Sequence, residues 1–248
     1  MSAFTAEIIG TMMLILFGNG VVANVVLERT KGNDAGWLTI SAGWGVAVFI
    51  GAFCANEFSG AHINPAVSIA MLAAGKLSLG STITYIIAQM IGATIGAVLV
   101  YLFYRQHFAA TRDPDAMLAC FATAPAIRNN LQSFLCEVVG TFALVLPIFL
   151  MVTPSLIQGD VPVDSDPRLG LGSLGYLPVA LLVFGIGMSL GGTTGYAINP
   201  ARDLGPRIVH ALLPIENKRD SDWGYAWVPI AGPIVGGTLA AVAFHLLK

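Results

Sequence analysis

The chain has 248 residues, of which 56% are hydrophobic and 10% charged, with a formal net charge of −2 at pH 7. A water-soluble domain carries about 25% charged residues, so this composition excludes an ordinary soluble domain and leaves an integral membrane protein. The slightly negative balance also argues against nucleic acid as a partner.

Apolar stretches at 3–27, 37–56, 82–104, 131–153, 174–190 and 225–247 predict six spanning helices, since a span needs about 20 mostly apolar residues. Polar segments at 28–36, 105–130, 154–173 and 214–224 separate most of them. The first run has no basic stretch before it and is too long for a signal core, so no cleavable export signal is expected. Cys54, Cys120 and Cys136 show no metal-ligand spacing, and Cys54 and Cys136 read as small membrane-embedded residues. Two apolar pieces are left over, 65–74 and about 200–213. Ten helical residues rise about 15 Å, half of a roughly 30 Å hydrocarbon core, so the first piece must enter and turn back. A bilayer tolerates that only where protein or a water-filled cavity surrounds the backbone.

Each leftover piece begins with the same triplet, Asn64-Pro65-Ala66 and Asn199-Pro200-Ala201. One copy is unremarkable, because Asn caps helices and Pro fits their first position. Two copies in matching places point to a duplicated unit. Glu7-Ile8-Ile9-Gly10-Thr11 matches Glu137-Val138-Val139-Gly140-Thr141, and Gly92 and Gly96 match Gly232 and Gly236. The offset grows in order, from 130 residues at the glutamates to 135 at the triplets and 140 at the glycines, as expected of a repeat with loop insertions. The glycine pairs read as close helix packing. Each unit holds three spans and one half-helix, and an odd number of spans inverts the second unit in the membrane. The expected fold is therefore one all-α membrane domain over 1–248. Six transmembrane helices and two re-entrant half-helices form two inverted repeats, about 1–125 and 126–248.

Inversion brings the two half-helix N-termini together near the midplane. Each carries unpaired N–H groups and about half a positive charge, which repels protons and other cations. The Asn64 and Asn199 amides can donate to a passing oxygen while their own carbonyls are held by backbone. The stretches 60–63 and 195–198 are expected to be non-helical, with the carbonyls of Gly60, Ala61, His62, Gly195 and Ala197 offered as acceptors. Such a path suits a permeant that both donates and accepts. Glu7 and Glu137, ionisable at membrane depth in both repeats, are expected to accept backbone N–H bonds from the re-entrant loops; proton relay is the alternative. Arg202, in the first turn of the second half-helix, adds a fixed charge and a fork of donors.

These residues resemble the major intrinsic protein family, the aquaporins and glycerol facilitators, over essentially the whole chain. Within it, Asn199-Pro200-Ala201-Arg202-Asp203-Leu204-Gly205-Pro206-Arg207 is similar to the signature of the glycerol-conducting branch, as are Tyr104 and Pro233-Ile234. The resemblance implies a selectivity filter of Trp44, Gly187, Tyr196 and Arg202. Trp44 and Tyr196 would form an apolar wedge for a polyol's carbon chain, Arg202 and loop carbonyls would take its hydroxyls, and Gly187 would leave room where water-selective relatives place a His. Tyr196 stands where bacterial glycerol facilitators commonly have Phe, and its hydroxyl either narrows the filter or points into protein. The resemblance further implies a passive channel for glycerol and other small neutral solutes, open to water and closed to ions. It also implies a plasma-membrane homotetramer surrounded by the lipid bilayer and needing no cofactor.

Family precedent places both termini in the cytoplasm. Arg29, Lys31, Arg105, Arg112, Arg128, Lys218 and Arg219 then lie outside, against Lys76, Arg168 and Lys248 inside, which runs against the positive-inside rule. An ion- or proton-coupled secondary transporter shares inverted repeats and broken helices, but His62 is the only obvious titratable group on the path. A membrane enzyme lacks a visible Ser/His/Asp set, metal cluster or phosphate loop.

Overall fold

Helices that are apolar around their whole circumference have no face for water and are stable only in a bilayer or a protein core. The structure, a computed structural model, describes residues 1–151 and 172–247, and among these residues six helices are long and apolar enough to cross a membrane. They are α1 (Ala3–Val26), α2 (Gly36–Ser59), α4 (Leu79–Ala110), α6 (Asn130–Leu150), α7 (Leu177–Leu190, preceded by a 3-10 turn over Gly172–Tyr176) and α9 (Val228–Leu246). Between them lie the half-helices α3 (Pro65–Ala73) and α8 (Pro200–Leu212) and a short helix α5 (Pro114–Ala119). Local chemistry sets several starts: Ser2, Ser78 and Asn129 accept from the N–H of Thr5, Ser81 and Gln132, the orphan donors of a first turn.

One expectation needs correction. The third span does not stop at 104 but runs on to Ala110, because 105–110 contains neither Gly nor Pro and consists mostly of good helix formers. At 32 residues this helix extends well past the hydrocarbon core. The polar segment 105–130 also holds a short helix that the sequence reading did not name. Asp113 caps α5 through the N–H of Asp115 at 2.8 Å, and α5 buries Met117 and Leu118. The predicted stretch 152–153, most of the segment 154–173, Arg168 and Lys248 lie outside the described residues.

α1 lies against α2 and α4, α6 lies against α9, and α2 meets α7 across the centre. Close approach depends on glycine: a Cβ on Gly92 would stand 2.3 Å from the Ile8 carbonyl oxygen, and one on Gly236 would stand 2.3 Å from that of Val138. Each half-helix then leans mainly on the last span of the other half, α3 on α9 and α8 on α4. Ile83, Ile87, Ile91, Ile95 and Leu99, four residues apart on α4, form an exposed apolar row, the face offered to lipid.

Candidate functional site

Asn64 and Asn199 have almost the same backbone conformation (φ −158°, ψ 119° and φ −155°, ψ 109°), each directly before a proline at the first helical position. The Asn64 Oδ1 accepts from Ala66 N at 2.8 Å. The Asn199 Oδ1 accepts from Ala201 N at 3.0 Å and Arg202 N at 3.2 Å. Each amide nitrogen reaches across to the opposite loop: Asn64 Nδ2 donates to the Ile198 carbonyl at 2.8 Å and Asn199 Nδ2 to the Ile63 carbonyl at 2.9 Å. The two half-helices therefore meet tip to tip. One N–H of each amide remains after these bonds.

The approach to each triplet alternates through left-handed backbone, with φ 78°, 53° and 42° at Gly60, Ala61 and Ile63, and 79°, 36° and 43° at Gly195, Tyr196 and Ile198. For a non-glycine residue that conformation costs about 1–2 kcal/mol. Buried carboxylates hold it in place. Glu7 accepts from His62 N at 2.9 Å and Ile63 N at 2.7 Å, and from Ser59 Oγ and Gln89 Nε2. Glu137 accepts from Ala197 N at 3.0 Å, Ile198 N at 2.8 Å and Thr194 Oγ1. The loop N–H groups at 62–63 and 197–198 are thus drawn back to the glutamates, while the Ile63 and Ile198 carbonyls are taken by the asparagines across the space between the loops.

That space is a cavity of about 690 Å³. Trp44, Tyr196 and Arg202 lie in its wall, as do Asn64, Asn199, Gly60, Ala61, His62 and Ala197, while Asn56, Met151 and Tyr176 line another part. Two predicted residues are not in the wall. Gly195 sits with its α-carbon facing Thr123, and Gly187 lies behind the Tyr196 ring, where a Cβ would stand 2.9 Å from the tyrosine Oη. The room that Gly187 opens is thus filled by Tyr196 rather than by the lumen. Gly191 adds to the same notch, its Cβ position 2.3 Å from Tyr196 Cδ1. The Tyr196 hydroxyl is buried in protein beside Gly187 and Ser41, which resolves the direction left open by the sequence. Trp37 braces the arrangement, edge-on to Tyr196 at 5.9 Å and donating Nε1 to the Gly187 carbonyl at 2.8 Å.

The Arg202 guanidinium carbon lies 4.1 Å from the Trp44 ring centroid, close enough for cation–π attraction. Its NH1 donates to the Phe121 carbonyl at 3.3 Å and to Asn19 Oδ1 at 3.4 Å. One turn on, Arg207 and Asp203 form a fully buried ion pair at 2.7 Å. Arg207 also reaches the carbonyls of Ser221, Asp222 and Thr123, and Asp203 accepts from both N and Oγ1 of Thr123. This network ties α8 to the segments around 121–123 and 221–222. His62 is bound locally, Nδ1 to Ser68 Oγ at 3.0 Å and edge-on to Tyr85 at 5.0 Å.

Sequence reasoning missed Asn19, Phe121, Thr123 and Ser221. Asn19 carried a signal, a polar residue inside an apolar span; the others act through backbone or through pairings more than ten residues apart.

The comparisons with known proteins agree with this geometry. Residues 1–244 match the major intrinsic protein family. The chain is 48% identical over 247 residues to the probable glycerol uptake facilitator protein of Thermotoga maritima, covering 100% of both. It is 47% identical over 245 residues to the glycerol uptake facilitator protein of Bacillus subtilis, covering 99% of this chain and 84% of the relative. The X-ray structure of the aquaglyceroporin from Plasmodium falciparum superposes with a TM-score of 0.79 at 31% identity, over 96% of this chain and 93% of that one. By family match, relatives and fold alike, the chain belongs to the major intrinsic protein family.

Proposed function

We propose that the chain is a passive channel for glycerol and similar small neutral polyols, which also passes water and excludes ions and protons. One observation carries this reading: a single cavity with an apolar wall, formed by Trp44, Val48, Leu14, Val183 and Ile148, faces loop backbone, two amide donors and one arginine. A polyol has a carbon side and a hydroxyl side, and it matches both walls at once. The glycerol uptake facilitator relatives support the same substrate.

In this reading the solute is sorted between the Trp44 and Tyr196 rings and Arg202. The rings exclude water from the carbon chain while the guanidinium and the loop carbonyls exchange hydrogen bonds with its hydroxyls. At the middle, the remaining N–H of Asn64 and of Asn199 each donate to a passing oxygen, so that a solute or water there points its own donors outward toward carbonyls. A cation finds two positive helix ends and Arg202, with too few acceptors to replace its hydration shell. Gly187 contributes indirectly, by letting the Tyr196 ring retreat.

The protein is a multi-pass protein of the plasma membrane. Its repeats take about 1–125 and 126–248 within one channel domain, and four copies assemble, each with its own path. Coupling to protons is disfavoured by His62, whose ring nitrogen is already engaged by Ser68. The test is osmotic: proteoliposomes shrunk in a glycerol gradient should reswell rapidly. Water flux without glycerol flux would overturn the proposal.

A further inference from the structure

Among the described residues, no carboxylate is bonded to Arg202. Among the described residues, the acids whose charge reaches it are Asp203 and Glu137. Asp203 is engaged by Arg207 and Thr123, and Glu137 by Thr194 and the N–H groups of Ala197 and Ile198. What touches the guanidinium instead is neutral: the Trp44 face, the Phe121 carbonyl and the side-chain oxygen of Asn19. Asn19 lies on α1 and is fully buried. Its two hydrogen bonds both serve this one place, since Nδ2 donates to the same Phe121 carbonyl at 3.4 Å that receives Arg202 NH1. A buried amide within an apolar span is costly unless its polar atoms are satisfied, and among the described residues the Arg202–Phe121 corner satisfies them.

An aspartate would fit the same space and bind the arginine more strongly, through a charge-assisted bond. It would also cancel the charge. We infer that Asn19 is a positioning and charge-setting residue for Arg202: it fixes the guanidinium in the cavity wall through a neutral oxygen, so that the arginine presents its whole positive charge to the lumen. The inference rests on the reading of the cavity as a solute path, because only there does an uncancelled charge select against cations. It adds a residue from the first helix to a constriction otherwise built from α2 and the loop before α8 together with its first turn.

Two substitutions test it in proteoliposomes, with the amount of folded channel measured by fluorescence-detected size exclusion. For Asn19→Asp, proton entry is followed with an internal pH dye under a potassium–valinomycin potential. The expected result is a leak per channel raised about fivefold or more, as a nearby negative charge lowers the barrier to a cation; a leak at the wild-type level overturns the inference. For Asn19→Ala, which removes the oxygen without adding charge, the glycerol-to-water permeability ratio should change several-fold in the wild-type channel and not at all in an Arg202→Ala channel. An equal change in both backgrounds, or in neither, means that Asn19 serves only helix packing and overturns the inference. If Asn19→Asp yields no folded protein, the alanine pair decides alone. A wild-type channel that passes no glycerol counts against the path itself, a result distinct from either outcome at Asn19.

Discussion

Arg207 grips Asp203 with two bonds, Nε to Oδ1 at 2.7 Å and NH2 to Oδ2 at 3.0 Å, and neither side chain is exposed. They sit one turn apart on α8, the (i, i+4) spacing that lets side chains meet. The remaining guanidinium donors are spent on loop carbonyls, so removing either partner strands a buried charge. Breaking such a pair costs about 3–5 kcal/mol. Arg207→Ala and Asp203→Asn should both lower the melting temperature of the detergent-solubilised channel sharply, by fluorescence-detected size exclusion after heating. The conservative Arg207→Lys should fall between them and wild type, because a single ammonium cannot serve five acceptor atoms.

Glu137 accepts three donors and returns none. Glu137→Gln keeps one acceptor oxygen and turns its NH2 group toward the N–H of either Ala197 or Ile198, leaving that loop N–H unpaired at a cost of about 1–3 kcal/mol. The left-handed residues Tyr196 and Ile198 then lose what restrains them. Glycerol flux per folded channel should drop severely, while far-ultraviolet circular dichroism stays that of the wild type.

The Gly187 notch makes a directional prediction. Gly187→His would drive its side chain into the Tyr196 ring and push that ring toward the lumen. Stopped-flow light scattering should show glycerol permeability reduced roughly tenfold or more, about 1.4 kcal/mol in barrier, with water permeability reduced much less. Tyr196→Phe removes a hydroxyl that already points away from the path, and it should shift the glycerol-to-water ratio by less than about threefold.

The glycines that face matching carbonyls, Gly92 against Ile8 and Gly236 against Val138, predict similar penalties, although the sequence paired Gly92 with Gly232. Gly92→Val and Gly236→Val would each place a Cβ 2.3 Å from a backbone oxygen of the neighbouring helix. Overpacking of this kind costs about 1–3 kcal/mol or more. Both variants should give much less folded protein in membranes, and milder Gly→Ala changes should give intermediate yields.

What could be read from the chain alone was whatever depends on neighbours in sequence. Apolar length gave the spans, Asn-Pro gave the starts of α3 and α8, and the paired Glu7 and Glu137 announced shared loop bonds. The ends of α4 were less visible, since polar residues beyond Tyr104 keep their helical propensity outside the core. Relations between distant segments were hidden. The position of Gly187 behind Tyr196 depends on how α7 faces the loop before α8. The role of Asn19 depends on a carbonyl 102 residues away. The sequence could state that Tyr196 departs from Phe, but only packing against Gly187 and Gly191 shows that the hydroxyl turns outward from the path.

The leaning of α3 on α9 and of α8 on α4 has a consequence for biosynthesis. As the ribosome delivers the chain, α3 emerges early yet lacks its main neighbour until the final helix is made. Throughout that interval the first stub has α4 beside it but lacks the helix that covers more of it. A transcript cut short before residue 228 therefore yields no half-sized pore, and two fragments made separately can mature only by trading stubs with each other.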